Sequence, residues 1–213
     1  MTRIGVTQIV ETVDEYEEHR DCLDQRWGPL LRSLGYVPIP LFNRIEDVEE
    51  YVTDLGLDGV VLTGGNDLTT VQDGSNVAPE RDSFERALLD VALDRNLPVF
   101  GVCRGAQFVN VYFGGSVTKI DGHVATTHEV SVEKPNPEGF ESVTTNSYHG
   151  YGVTSDDLAG DLQAVGRAPD GTVEWVEHDE QSVSAVMWHP ERESPSAEID
   201  RWIIDDSLGN HDS

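Results

Sequence analysis

Leu97-Pro98-Val99-Phe100 runs directly into Gly101-Val102-Cys103-Arg104-Gly105, and Ala106-Gln107-Phe108-Val109-Asn110-Val111 follows with the spacing of a helix. A strand that becomes a helix across one cysteine, with a glycine two positions away on either side, has the pattern of a nucleophile elbow carrying sulfur in place of the serine oxygen. Such a corner holds its apex residue in a strained backbone conformation and leaves little room beside it. Gly101 and Gly105 therefore have a steric reason to be glycine. The helix that starts behind the corner offers free N–H groups and a partial positive charge, and both favour a thiolate. Taken alone the pattern also fits a buried cysteine beside structural glycines.

The elbow belongs with sheets whose strands alternate with helices, and the rest of the chain alternates in that way. The spacing predicts a strand over 3–10, a helix over 21–33 with Leu23, Trp27, Leu30 and Leu31 on one face, and a strand over 36–41. A helix over 46–55, a strand over 59–62, a helix over 82–95 with Phe84, Leu88, Val91 and Ala92 inward, and a strand over 99–101 follow. Beyond residue 125 the pattern turns β-rich, with runs at 129–132, 162–165, 173–176 and 183–187 before a last helix over 196–206. The expected fold is a three-layer α/β/α arrangement with a mostly parallel central sheet, its active groups at the carboxyl ends of the strands, and a β-rich C-terminal portion. The 213 residues contain no linker-like stretch, so one domain over 1–213 is expected.

Forty acidic residues against 14 basic ones give a formal net charge of −26, with Lys119 and Lys134 the only lysines. The acids are spread along the chain. That distribution suits a protein kept soluble by self-repulsion in a salty cytoplasm, and mimicry of nucleic acid is the sharper alternative. Without a basic patch, nucleic acid is not an expected partner. No apolar run is long enough to cross a bilayer, and the chain opens on a strand at Arg3 rather than on a signal peptide, so the expected location is cytoplasmic and no membrane partner is expected. Cys22 and Cys103 are expected to be free thiols, with Cys22 in the core on the inward side of the first helix.

Two further segments bear on Cys103. Trp188-His189-Pro190-Glu191 closes the run 182–187 and places a histidine at a strand end with a carboxylate two residues on, so both point to one side. That suits an acid holding an imidazole in one tautomer while the imidazole takes the Cys103 proton, although a lone histidine at a strand end is ordinarily structural and Glu191 alone reads as a solvated charge. Thr63-Gly64-Gly65-Asn66-Asp67 follows the buried run 59–62, and Gly65 there can offer its N–H to an oxyanion, with the N–H of Arg104 as second donor. Gln107 lies one turn along the helix from Cys103, either as an exposed residue or against a substrate. The side chain of Arg104 is either an ion-pair partner of Glu85 or faces a substrate phosphate. His123 and His128 have a spacing compatible with zinc, but no further ligand stands near them in sequence, so neither a metal nor a cofactor is expected.

The Cys-Arg-Gly elbow, the Thr-Gly-Gly-Asn-Asp loop, Asn146-Ser147-Tyr148-His149 and the Trp-His-Pro-Glu segment occur in the order found in the class I glutamine amidotransferase superfamily, and the chain resembles its gamma-glutamyl hydrolase branch. Residues 18–24, Trp27-Gly28, 81–85 and 187–193 are similar to members of that branch that act on gamma-glutamyl-CDP-amidate. The resemblance implies a flavodoxin-like sheet and a Cys103-His189-Glu191 triad that cleaves a gamma-glutamyl amide through a thioester. It further implies a small-molecule substrate held by Gly64, Gln107, Ser147, Tyr148 and His149, with Arg20 near a phosphate. A glutaminase subunit serving a separate synthetase and a non-catalytic binding relative are the alternatives. Where many members carry a glutamine two positions after the histidine, this chain has Tyr151.

Overall fold

The computed structural model describes residues 1–134 and 139–209. Strands β1 (Arg3–Val6), β2 (Ile9–Val13) and β3 (Glu18–Cys22) precede helix α1 (Trp27–Ser33). Then β4 (Val37–Pro40), α2 (Val48–Leu55), β5 (Gly59–Leu62), α3 (Pro79–Asp94), β6 (Val99–Val102) and α4 (Arg104–Tyr112) alternate. The β-rich portion comprises β7 (Thr118–Lys119), β8 (Val124–Val132), β9 (Ser142–Tyr148), β10 (Tyr151–Gly152), β11 (Leu162–Arg167), β12 (Val173–His178) and β13 (Val183–Val186), and α5 (Ala197–Leu208) follows it.

β5, β6 and β13 are buried at every position, as strands covered on both faces must be. They lie in a nine-stranded sheet of order β4-β1-β5-β6-β13-β12-β11-β8-β9. The first five strands pair in parallel, and in chain order their sequence is 2-1-3-4-5, the flavodoxin-like order. From β13 onward the pairing is antiparallel, so β13 has a parallel neighbour on one side and an antiparallel one on the other. One face packs Phe84, Leu88 and Leu89 of α3 and Phe108 and Val109 of α4 on the sheet. The other face packs Trp27 and Leu31 of α1 and Ile203, Ile204 and Leu208 of α5. The α/β/α expectation holds.

Three expectations about the elements are corrected. The first strand stops at Val6, and residues 9–22 form the antiparallel hairpin β2–β3 with Ile9 opposite Cys22, so Cys22 lies on a strand and is half-buried rather than in a helix. The helix begins at Trp27 rather than Asp21, because residues 18–22 are taken by β3 and Asp24 forms a turn ahead of the helix, its carbonyl accepting from the Trp27 N–H at 3.2 Å and its carboxylate from the Arg26 N–H at 2.9 Å. Residues 142–148, to which the sequence assigns no element, form strand β9 against β8. β8 itself begins at Val124, five residues before the expected run, since its mostly exposed positions alternate too weakly to be read as buried sheet.

Candidate active site

Val102 at the end of β6 lies opposite Val186 at the end of β13, and the Cys103 N–H donates to the Val186 carbonyl at 2.8 Å. The parallel register therefore brings the two chain exits together. Cys103 has φ 53° and ψ −105°, a conformation that costs a non-glycine residue about 1–3 kcal/mol, and α4 begins at the next residue. The flanking glycines make the corner possible. A Cβ on Gly105 would lie 2.1 Å from the Leu62 carbonyl oxygen, and one on Gly101 2.8 Å from Ala185 Cβ.

His189 emerges three residues after β13. Its Nδ1 lies 2.7 Å from Glu191 Oε1, and the Cys103 sulfur lies near enough to act on the charge of the imidazole. Burial works against a charged imidazole here, but the Cys103 sulfur and then Glu191 outweigh it and raise His189 to about 9. All three residues are buried. Gly64 fills the gap beside them, since a Cβ there would come within 2.8 Å of His189 Cε1 and 3.5 Å of Cys103 Cβ.

The loop carrying Gly64 and Gly65 is held by a residue that local sequence patterns do not place in the site. Arg81 on α3 is fully buried and donates to the carbonyls of Thr63 at 2.7 Å and Gly64 at 3.0 Å and to Asn66 Oδ1 at 3.3 Å. A trans peptide points its C=O and N–H in opposite directions, so a Gly64 carbonyl turned to Arg81 sends the Gly65 N–H away from it. Gly65 has φ +119°, and a Cβ there would lie 2.0 Å from Ile9 Cγ2. Asn66 also bonds the N–H and carbonyl of Val10 at 2.9 and 2.8 Å, which fastens the β2–β3 hairpin to this loop.

Of the two readings of the Arg104 side chain, the structure takes the ion pair with Glu85. Its guanidinium is buried and bonded to Glu85 and Asp82, while Arg81 takes the other oxygen of Glu85 at 2.9 Å. Burial alone would raise the Glu85 carboxyl, but the guanidiniums of Arg104 and Arg81 hold it below its ordinary value. For Arg81, the signal in the sequence is its spacing of four from Glu85 on one face of a helix. The Arg104 N–H, as the first of α4, remains in the unpaired first turn.

The other expected residues divide. Tyr148 packs its ring edgewise on His189 with centroids 5.8 Å apart, and the Arg192 guanidinium lies 4.2 Å above the same tyrosine ring. Gln107 is buried and donates to the Tyr151 carbonyl at 2.8 Å. Ser147 and His149 turn elsewhere: the Ser147 hydroxyl donates to the His123 carbonyl at 2.7 Å, and His149 Nδ1 lies 3.1 Å from the Tyr151 carbonyl with its other nitrogen toward Glu174. A polar strand hides which face each residue takes until its partner strand is known. Arg20 lies on β3 and pairs with Glu18 at 2.7 Å, with about half its side chain exposed. Asn146, unassigned from the sequence beyond its motif, bonds both the N–H and the carbonyl of His189.

Residues 4–191 match the Peptidase C26 family. The gamma-glutamyl-CDP-amidate hydrolase of Campylobacter jejuni is 32% identical over 90% of each chain. The gamma-glutamyl-gamma-aminobutyrate hydrolase of Escherichia coli is 30% identical, covering 86% of this chain and 84% of that one. Among solved structures, a glutamine amidotransferase from Thermotoga maritima superposes with a TM-score of 0.65 at 17% identity, over 95% of this chain and 81% of that one.

Proposed function

The chain belongs to the Peptidase C26 family, within the class I glutamine amidotransferase-like group, and from that premise we propose that it hydrolyses a gamma-glutamyl amide by covalent catalysis at Cys103. The observation that carries this reading is the strained Cys103 beside an imidazole that Glu191 holds at 2.7 Å. His189 takes the thiol proton, and the sulfur attacks the γ-carbonyl carbon of the substrate. The carbonyl π electrons move onto oxygen, where the N–H groups of Gly65 and Arg104 receive the charge. As the carbonyl re-forms, the C–N bond breaks and His189 gives its proton to the departing nitrogen. Water, deprotonated by His189, then hydrolyses the thioester, releasing glutamate and restoring the thiol. Glu191 keeps the imidazole in the tautomer that this exchange needs.

For the leaving group we propose a nucleotide-linked amine, as in the name of the Campylobacter jejuni relative. Arg104 is committed to Glu85 and Asp82, so the diphosphate falls to Arg192, which overhangs Tyr148 beside His189. A planar guanidinium suits two phosphate oxygens at once. The test is a panel of glutamine, gamma-glutamyl-aminobutyrate and gamma-glutamyl-CDP-amidate on the isolated chain, with glutamate release as readout. The expected order puts the nucleotide conjugate first in kcat/KM, because the remote nucleotide adds binding energy that glutamine lacks. If a simple gamma-glutamyl amine ranks first, the nucleotide assignment falls. If glutamine turns over only when a synthetase is added, ammonia delivery to a partner replaces stand-alone hydrolysis.

A further inference from the structure

Three imidazoles and one carboxylate converge at a second place in the molecule. His123 precedes β8, His128 lies on it, His149 follows β9, and Glu174 reaches in from β12. Glu174 is fully buried, His123 and His149 are 4% and 3% exposed, and the His128 side chain is 12% exposed. His123 Nδ1 and His149 Nε2 face Glu174 Oε1 at 3.3 and 3.5 Å, and His128 Nε2 faces Oε2 at 3.6 Å. None of these five atoms meets hydrogen-bonding geometry with any described residue.

The outer nitrogens explain why. His123 Nε2 lies 2.9 Å from a carboxylate oxygen of Asp170, and His149 Nδ1 lies 3.1 Å from the Tyr151 carbonyl. A carboxylate and a carbonyl only accept, so each ring must carry its proton on that outer nitrogen. Glu174, with Asp170, favours a protonated His123 in the metal-free chain; whenever the rings are neutral, their inner nitrogens are lone pairs aimed at an anion in a buried space. Protonating them would place several imidazolium ions around one carboxylate, at separations longer than the roughly 2.7–2.9 Å of a charge-assisted bond. A cation among the donors resolves the conflict. Ligand atoms about 2.0–2.1 Å from a tetrahedral ion stand roughly 3.3 Å apart, close to the 3.3–3.6 Å between each inner nitrogen and its Glu174 oxygen. The inner atoms of His123, His128 and Glu174 all lie within 4.8 Å of one another.

We propose that His123, His128, His149 and Glu174 form a closed structural site for a divalent first-row transition ion of the zinc type, with Asp170 orienting His123 from behind. In the sequence only His123 and His128 stand close enough to suggest a metal, and the fold supplies the two further ligands. The ion would act on the neighbouring site by position alone. The Ser147 hydroxyl and the His149 N–H both donate to the His123 carbonyl, at 2.7 and 3.1 Å, so the ion ties down the strand that presents Asn146 and Tyr148 to His189. The proposal stands independently of the reaction assigned to Cys103.

The test uses the Cys103→Ala chain, so that the thiol cannot bind the probe. The protein is stripped with a chelator, incubated with zinc chloride and desalted, then analysed by elemental mass spectrometry and thermal unfolding. About one zinc per chain and a raised Tm are expected, with at least a 10-fold weaker affinity in Asp170→Asn and larger losses in His128→Gln and Glu174→Gln. Should the ligand variants fail to fold, cobalt(II) loaded into the parent chain is expected to give tetrahedral d–d bands without a thiolate charge-transfer band. Stoichiometry well below one with an unchanged Tm overturns the proposal, as does equal zinc uptake by a folded His128→Gln or Glu174→Gln, or an octahedral cobalt spectrum.

Discussion

Asn146 and His189 hold each other by two hydrogen bonds of 2.9 Å, Asn146 Nδ2 donating to the His189 carbonyl and the His189 N–H donating to Asn146 Oδ1. The backbone of His189 is thereby fixed by β9, a strand four places away from β13 in the sheet. Asn146→Asp keeps the acceptor but sets a carboxylate oxygen against the His189 carbonyl. We expect kcat to fall on the order of 10²-fold, the cost of displacing a reacting group by about 1 Å, with little change in KM. Steady-state kinetics decides it, and an unchanged kcat removes Asn146 from the positioning of His189.

The raised pKa of His189 has a definite signature. Its ordinary value is 6.5 and its folded value about 9, so the stabilisation it contributes is fully present below 6.5 and is lost as pH rises through about 9. In Cys103→Ala the leading cause of the rise is gone, and the imidazole should titrate lower. The measurements are the imidazole carbon shift by NMR and the difference in unfolding free energy between the two chains from pH 6 to pH 10. A His189 titration unaffected by the substitution would sink this reading.

Removing the sulfur should also expose the strain at the elbow. Cys103→Ala and Cys103→Gly both lose the nucleophile, but only glycine adopts φ 53° freely. The glycine variant is expected to be the more stable of the two by about 1 kcal/mol, both being inactive. Denaturant titration compares them. In the parent chain, an electrophilic glutamine analogue should label Cys103 and spare Cys22, whose thiol is pushed up by burial.

The buried charge cluster makes a stability prediction. Arg81→Met leaves Glu85 with one guanidinium and takes the Arg81 donors from the carbonyls of Thr63 and Gly64, and we expect a loss of about 3–5 kcal/mol. Arg81→Lys should not restore it, because an ammonium cannot reach the same set of acceptors in one plane. Urea denaturation of both variants provides the check, and full rescue by lysine would contradict the geometry.

Self-repulsion in a chain of formal charge −26 is screened over roughly 3 Å in 1 M salt and about 30 Å in 0.01 M. The protein is expected to gain Tm as salt rises to the molar range and to lose structure on dialysis to low salt. A Tm that is flat or falls with added salt refutes the high-salt expectation.

What could be read from the sequence was local. Cys103 shares a pentapeptide with its two glycines, and Glu191 lies two residues from His189, so short-range sterics and strand alternation were enough to group them. The alternation of buried strands and helices likewise gave the parallel half of the sheet. What escaped depends on partners far along the chain. Arg81 meets the carbonyls of Gly64 and Thr63 seventeen and eighteen residues away and Asn146 meets His189 forty-three away, and no local pattern announces either contact. The resemblance places Ser147 and His149 in the pocket, yet the register of β8 against β9 aims both toward His123. The hairpin over 9–22 escaped because its residues are mostly exposed and carry little apolar alternation.

β13 is a seam: its parallel side carries the elbow of Cys103, and its antiparallel side leads through β12, β11 and β8 to Tyr148. The proposed nucleophile and the Tyr148 ring beside His189 thus come from two wings of one sheet, which Asn146 and His189 join. Under the proposed function, remodelling the loops and outer strands of the antiparallel wing would change what is cleaved from glutamate while the cysteine and its helix stay where they are. An engineer seeking a new substrate would therefore graft on that wing and leave the other untouched.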